Sequence, residues 1–420
     1  MYRKYSVNIN TIIAFFMFFS FVEISALKQL EGFKFLLNTA KICFMFFLGL
    51  FVIIKIFNKK IKISKINMLL ILLELEVFVV TIFINTQNIW TCLKYIIPLI
   101  LISIYFENIE KKNYKYYFSA FSNLTFIYIV FNLISVILFP EGVYRGIQNK
   151  ENYYFLGHNN MYIRKILPGI MLSGFFDYMI CNKIRLKTKF MAILLMITVT
   201  LTWSNVSMIC AIIYLVYIFA LDKINVNKLL SSKMLYAIPI IVFLAIISID
   251  KFSNILVMIG NVFGKDSTLT GRTVIWEAGF DLIKENLFFG YGYGDIIKIT
   301  FSEGYSRPFI FSVSSFHNYF IDILYQGGIV CFLWTLMWLF EICNSIGNDE
   351  NKIGQYIKVC VFIIFILWNT LPCNNIDSIF LIVIMGIFAN YRKIKQIDKD
   401  DSVVEKNDNN KNIIMNNINK

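Results

Sequence analysis

Apolar stretches long enough to cross a bilayer follow one another along almost the whole chain, and this leaves few folds open. They lie near 10–27, 35–57, 67–86, 89–106, 117–139, 163–181, 190–203, 206–221, 235–249, 317–343, 356–371 and 376–391. A helix needs roughly 20 residues to span the hydrocarbon core. Backbone groups in lipid must be satisfied internally, so these runs are helices and not open strands. The expected fold class is all-α: a polytopic integral membrane protein of about 12 transmembrane helices with a large extracytoplasmic loop. The pair 190–203 and 206–221 is short and joined only by WSN, so it is either a tight hairpin or one broken element. The chain is 58% hydrophobic with 42 Phe, a composition that would expose aggregating patches in a water-soluble protein. MYRKYSVNIN and the apolar run after it resemble a signal peptide, but no small-x-small cleavage site follows. This segment is read as an uncleaved first span.

The charge is arranged to match. The net charge is +13, yet the basic residues sit in alternate connectors: NKKIKISKI (58–66), ENIEKKNYKYY (107–117), NKIRLKTK (182–189) and DKINVNKLLSSK (222–233). TQN (86–88), WSN (203–205) and PCNNID (372–377) carry no Lys or Arg. The positive-inside bias then puts both termini in the cytoplasm and two loops outside, 140–162 and 250–316. No basic stripe is interleaved with stacking aromatics, which argues against nucleic acid as a partner. The domain reading is one transmembrane unit over 1–392 and a disordered, Asn/Lys/Asp-rich cytoplasmic tail over 393–420. No internal repeat is visible, which weighs against a transporter built from related halves. The eight cysteines lie in or beside spans without CxxC or Cys/His clustering, so neither a disulfide framework nor a metal site is expected.

The 250–316 stretch is where polar chemistry concentrates. Trp276, Phe280, Ile283 and Leu287 recur at helical spacing, with Glu277, Asp281, Lys284 and Glu285 on the other side. That is an amphipathic helix, ended by Gly290, Gly292 and Gly294. At the lip of the next span stands His317, one of two histidines in the chain. An imidazole there suits proton abstraction from a hydroxyl; an interfacial cap is the alternative. Arg272 opens the amphipathic helix, and its guanidinium suits phosphate oxygens; the alternative is a surface charge pairing with Glu277. Arg145, His158, Arg164 and Lys165 form a cationic group in and after the 140–162 loop, suited to a lipid diphosphate. The alternative is ordinary loop charges, with Arg164 and Lys165 snorkelling from a helix end. Glu23, Glu74, Glu76, Asp177, Asp322 and Glu341 fall within spans, where each should face the bundle interior or an interface. Asp322, about one and a half turns below His317, is placed to orient a catalytic group. No P-loop, HExxH or GxSxG motif appears.

GRTVIWEAGFDLIKENLFFGYGYGD, a loop, and FHNYFIDILYQGGIV resemble the shared region of the bacterial O-antigen ligase and Wzy-type polysaccharide polymerase superfamily. His317-Asn318 is followed after nine residues by Gly328; where the family often has a second Gly three positions on, this chain has Cys331. Arg145-Gly146 and Asn159-Asn160 before a span resemble another feature of the family. The resemblance implies a GT-C-like membrane glycosyltransferase in the bacterial cytoplasmic membrane, inverting, needing no metal and no cofactor. Its donor would be a glycan on undecaprenyl diphosphate. His317 would be the general base, Arg272 with Arg145 and Arg164 would stabilise the diphosphate, and Asn318 would orient the imidazole or a sugar hydroxyl. His158 and Asp322 complete the expected substrate site. The expected function is polymerisation of lipid-linked repeat units into O-antigen, capsule or exopolysaccharide. A ligase moving glycan onto lipid A–core or another acceptor is the alternative, and a polysaccharide flippase the alternative from another class. Membrane lipid, chain-length regulators and flippases are the implied partners.

Overall fold

Among the described residues a helix forms at each of the twelve apolar stretches. In chain order these are α1 (Ile9–Phe21), α2 (Glu31–Phe57), α3 (Lys65–Ile84), α4 (Ile89–Asn108), α5 (Tyr114–Leu138), α6 (Tyr162–Cys181), α7 (Leu186–Leu201), α8 (Asn205–Phe219) and α9 (Ser232–Ile247). The amphipathic segment forms α10 (Arg272–Glu285), and α11 (Tyr319–Ile346), α12 (Lys352–Trp368) and α13 (Ile379–Ala389) complete the set. The computed structural model describes residues 8–146, 151–158, 160–220, 225–247, 272–294, 297–301, 309–313, 315–348, 351–371 and 376–394. The expectations made for Asn159, for 250–271 and for nearly all of the 393–420 tail lie outside the described residues.

Among the described residues, five segments are long and apolar enough to cross a membrane: Glu31–Phe57, Lys65–Ile84, Thr86–Asn108, Lys111–Leu138 and Tyr319–Ile346. Their outward faces carry Phe35, Ile42, Phe46, Phe83 and Trp90, all largely exposed, as a lipid-facing surface requires. α7 and α8 pack against each other around a turn in which Trp203 takes a positive φ of 52°, so 190–221 is a hairpin. α1 ends earlier than its apolar run. Residues beyond Phe21 leave the helix because other elements take their backbone groups: Ala26 N–H donates to Phe155 O, and Lys165 donates to Glu23 O. Irregular backbone at such a depth is tolerated where protein encloses it.

The expectation of an all-α chain needs one correction. Each extramembrane loop holds an antiparallel pair, β1 (Tyr144–Arg145) with β2 (Asn152–Tyr153), and β3 (Ile297–Phe301) with β4 (Phe309–Val313). Outside the bilayer the chain is free to satisfy its backbone by strand pairing.

The connectors sort onto two faces. The lysine-free connectors join the loops: Asn85 Nδ2 donates to Tyr293 O at 3.1 Å, Ser204 Oγ bonds Asn160 Oδ1 at 2.9 Å, and Arg164 reaches Ser378. The basic connectors join each other: Asn108 Oδ1 accepts from Lys62 N–H at 2.7 Å, and Lys358 bonds Asn227 and Asn348. Three acidic side chains in or beside the spans are partnered, which offsets the cost of placing charge there: Glu23 by Lys28 and Lys41, Asp177 by Arg185 and Thr188, and Glu341 by Lys65; Glu74 is buried inside the bundle.

Candidate functional site

A break in α11 builds the scaffold of the site. Gly328 has φ 61° and ψ −160° inside the helix, so the intrahelical ladder fails there. The freed carbonyls of Tyr325 and Gln326 accept instead from Tyr291 N–H (2.7 Å) and Gly292 N–H (2.8 Å), and Ile329 N–H donates to Leu287 O (2.8 Å). The glycines make this close approach possible: a Cβ on Gly328 would sit 2.2 Å from Phe288 O, and one on Gly290 2.5 Å from Tyr325 O. The Gly-rich turn is therefore a backbone patch on a broken helix, beyond the helix terminator the sequence suggested.

α10 packs on α11 through Ile275, Trp276 and Ile283, all buried. Phe280 touches the Phe243 ring of α9, whereas Leu287, the last member of the expected stripe, is 44% exposed. Gly279 leaves room for the Phe316 ring, and Trp276 Nε1 donates to Phe316 O at 2.8 Å. The amphipathic helix thus holds the residue next to His317.

The backbone before His317 is held atom by atom. Asp322 Oδ1 accepts from Phe316 N–H and its Oδ2 from Ser315 Oγ–H, both at 2.8 Å; Ser315 Oγ in turn accepts from His317 N–H at 3.0 Å. His317 itself takes a left-handed φ of 55°, a conformation costing a non-glycine residue roughly 1–2 kcal/mol, which these bonds offset. Asp322 acts on the backbone that carries the imidazole and does not touch the ring. Asn318 caps α11, its Oδ1 accepting from Phe320 and Ile321 N–H, while its Nδ2 reaches Asn369. Among the described residues neither engagement goes to the imidazole; Asn318 acts here as the cap of α11.

The electrostatics of His317 follow from this placement. Its Nδ1 is enclosed and has no hydrogen-bond partner among the described residues. Burial first, then the charges of Arg272 and Arg164 and a further push from His158, bring its pKa down to about 4. The structure therefore gathers His317, Arg272, Arg164 and His158 into one electrostatic neighbourhood. Burial also lowers the pKa of the Arg272 guanidinium. Arg164 is 3% exposed and Lys165 2%, so neither snorkels. Arg164 Nη1 lies 3.5 Å from Ser378 Oγ. Lys165 is saturated by Glu23 O, Ser25 Oγ and Leu156 O and pairs with Asp377 at 3.4 Å, pinning the 140–158 loop to the bundle. His158 lies 3.6 Å from Glu151. Arg145 is exposed, pairs with Glu141 at 2.9 Å, and is not among the charges acting on His317.

Sequence reading missed Asp377, Ser378 and Ser315. Burial works against the Asp377 carboxylate, but Lys165 and Arg164 outweigh it and hold its carboxyl below the usual range. The one sequence sign was an acidic residue in a connector without Lys or Arg.

Residues 190–336 match the O-Antigen ligase family. The resemblance to the O-antigen ligase and Wzy-type polymerase superfamily therefore holds over α7 to α11, a region that contains Arg272, His317, Asn318, Asp322 and Gly328. Arg164 and His158 lie before the O-antigen ligase match and join the site through the fold. The chain is also 36% identical over 87 residues to the exopolysaccharide production protein ExoQ of Rhizobium meliloti (strain 1021). That match covers 20% of this chain and 20% of the relative, so the chain spans only a fifth of that protein's length in alignment. No solved structure matches.

Proposed function

We propose that this chain is a multi-pass glycosyltransferase that polymerises undecaprenyl-diphosphate-linked oligosaccharides at the outer face of the bacterial cytoplasmic membrane, crossing it about twelve times. One observation carries the reading: an enclosed imidazole nitrogen without a hydrogen-bond partner among the described residues, under the positive influence of Arg272, Arg164 and His158. Such a centre is complementary to an anion, and a lipid diphosphate supplies one. The acceptor hydroxyl oxygen attacks the anomeric carbon while the bond from that carbon to the diphosphate oxygen breaks. The hydroxyl proton passes to His317, and the electron pair leaves on the diphosphate, where Arg272 and Arg164 stabilise the developing charge. In-line displacement inverts the anomeric centre, and neither metal nor cofactor is invoked. A base of pKa about 4 is weak in the free protein. The arriving diphosphate offsets the arginines and raises its basicity, so base strength is coupled to donor binding. Asn318, Asp322 and His158 support the site as cap, backbone holder and added positive potential. Arg145 is assigned to a more distal part of the glycan path.

The ExoQ relative's connection with exopolysaccharide production favours a polymerase, while the matched family's description favours the ligase reading. Separate His317→Ala and Arg272→Ala variants, expressed at normal levels and scored for surface glycan length on gels, test the proposal. Single-repeat glycans support the polymerase. Long lipid-linked chains missing from their acceptor support the ligase. Full-length polymer from both variants overturns the catalytic assignment.

A further inference from the structure

The geometry points to a binding site for an anionic phospholipid at the end of the helix bundle opposite His317. α3 fixes the separation. Its last turn meets the His317 face, where Thr81 Oγ1 accepts from Tyr293 N–H at 2.8 Å. Its first turn opens onto a cavity of about 760 Å³. A helix of 20 residues is about 30 Å long, so the two sites lie at opposite membrane surfaces.

The cavity lining has three chemical components. Its rim carries Lys55, Lys59, Lys60, Lys62, Lys111 and Lys393. The carboxylate among its lining residues, Glu107, accepts from Asn67 Nδ2 at 2.6 Å, and its single negative charge is outnumbered by the six lysines. Its floor is apolar, from Ile66, Leu70, Phe106 and Ile382. The lining also includes two residues with a buried polar atom that has no hydrogen-bond partner among the described residues, Trp338 Nε1 and Ser103 Oγ. Buried donors of this kind are uncommon because each costs free energy until satisfied. The rim is also held in shape: Asn108 clamps Lys62 by accepting from its N–H at 2.7 Å and donating to its C=O at 2.8 Å.

A ligand that fits has an anionic head for the lysines, ester oxygens for the indole and hydroxyl donors, and acyl chains for the floor. A phospholipid with net negative charge has all three, and basic pockets between transmembrane helices bind such headgroups. A zwitterionic lipid would bring its own ammonium among the lysines, and a soluble phosphate would leave the floor uncovered. This inference rests on the membrane embedding of the chain and not on the glycosyl-transfer reading.

The test uses the full chain purified in a neutral detergent and supplied with phosphatidylglycerol, phosphatidylcholine or glycerol 3-phosphate. Retained lipid is read by native mass spectrometry and Tm by thermal unfolding. We expect phosphatidylglycerol to be retained and to raise Tm well beyond phosphatidylcholine, with no shift from glycerol 3-phosphate. The triple variant Lys59→Ser/Lys60→Ser/Lys62→Ser should lose that preference, while Lys228→Ser, on another basic connector, should keep it. Trp338→Phe retains the ring and removes the N–H, and should weaken retention by roughly two- to tenfold. Equal retention of the two lipids overturns the proposal, as does a preference that survives in both the triple and the Trp338 variants. A Tm shift from glycerol 3-phosphate alone would make this a soluble-anion site. Chemical cross-links from the groove lysines to residues 397–420 would make it a seat for the chain's own tail.

Discussion

The two ends of α11 carry positive charge in opposite ways. At its start the cations are immobilised: Arg164 is buried, Lys165 is saturated, and the 315–317 backbone is held by Asp322, Ser315 and Trp276. Near its other end Lys59, Lys60 and Lys62 stand exposed on flexible stems around an apolar groove. The difference teaches what each end can do. Charge held in low-dielectric surroundings can stabilise a developing charge without reorganising, which is what catalysis needs. Charge on mobile stems can only collect a ligand, and is screened by salt.

The largest expected effects break the comparison at the His317 end. His317→Ala should lower turnover by roughly 10²–10⁴-fold, the usual contribution of a positioned base. Arg272→Ala should cost roughly 10²-fold or more if it stabilises the leaving diphosphate. Both are read as rates of chain extension from a lipid-linked donor. A loss confined to KM would mean that Arg272 contributes only to ground-state binding.

The next effect is on the scaffold. Gly328→Ala places a methyl group on the Phe288 carbonyl at a φ that non-glycine residues avoid. We expect a stability loss of roughly 1–3 kcal/mol and a fall in activity, because the 286–294 turn would lift from α11. Thermal unfolding in detergent would show it, and an unchanged Tm would mean that the break in α11 is not held by this contact. Asp322→Asn keeps the size of the side chain but weakens its hold on Phe316 N–H and Ser315. A loss of roughly tenfold in activity is expected, with a fall in Tm no larger than that of Gly328→Ala, since each weakened hydrogen bond contributes about 0.5–1.5 kcal/mol.

These scaffold residues also mark where the sequence was readable. Helix positions followed from hydrophobic runs, and the two faces from the lysine-free connectors, because the bilayer imposes both rules locally. His317, Arg272 and Gly328 sit within one stretch whose order resembles a known family. Asp377 and Ser378 were not readable, since their pairing with Lys165 and Arg164 spans more than 200 residues. The enclosure of Arg164 and Lys165 was not readable for a similar reason: position at a helix end leaves snorkelling open as the alternative, and only the packed fold shows both enclosed. The lysine groove was likewise invisible, because Lys59, Lys111 and Lys393 meet only after α2, α4 and α13 are brought together.

The smallest effect is the most discriminating. With His158→Gln, His317 is the single imidazole left in the chain, so its titration can be followed directly by NMR. It should titrate near pH 4 in the free protein, and removal of Arg272 should move that value upward because one repelling charge is gone. The sign for stability follows. A lowered folded-state pKa keeps the imidazole neutral, so its contribution is full above the ordinary value of about 6.5 and is lost as pH falls from there towards about 4. Activity should show the complementary shift. The acid limb of kcat/KM reports the free protein and should lie near pH 4, whereas the limb of kcat reports the donor complex and should lie higher, because the diphosphate now favours the imidazolium. Coincident limbs would mean that the donor's negative charge does not reach His317, and the anion-activated base would have to be abandoned even if His317→Ala is inactive.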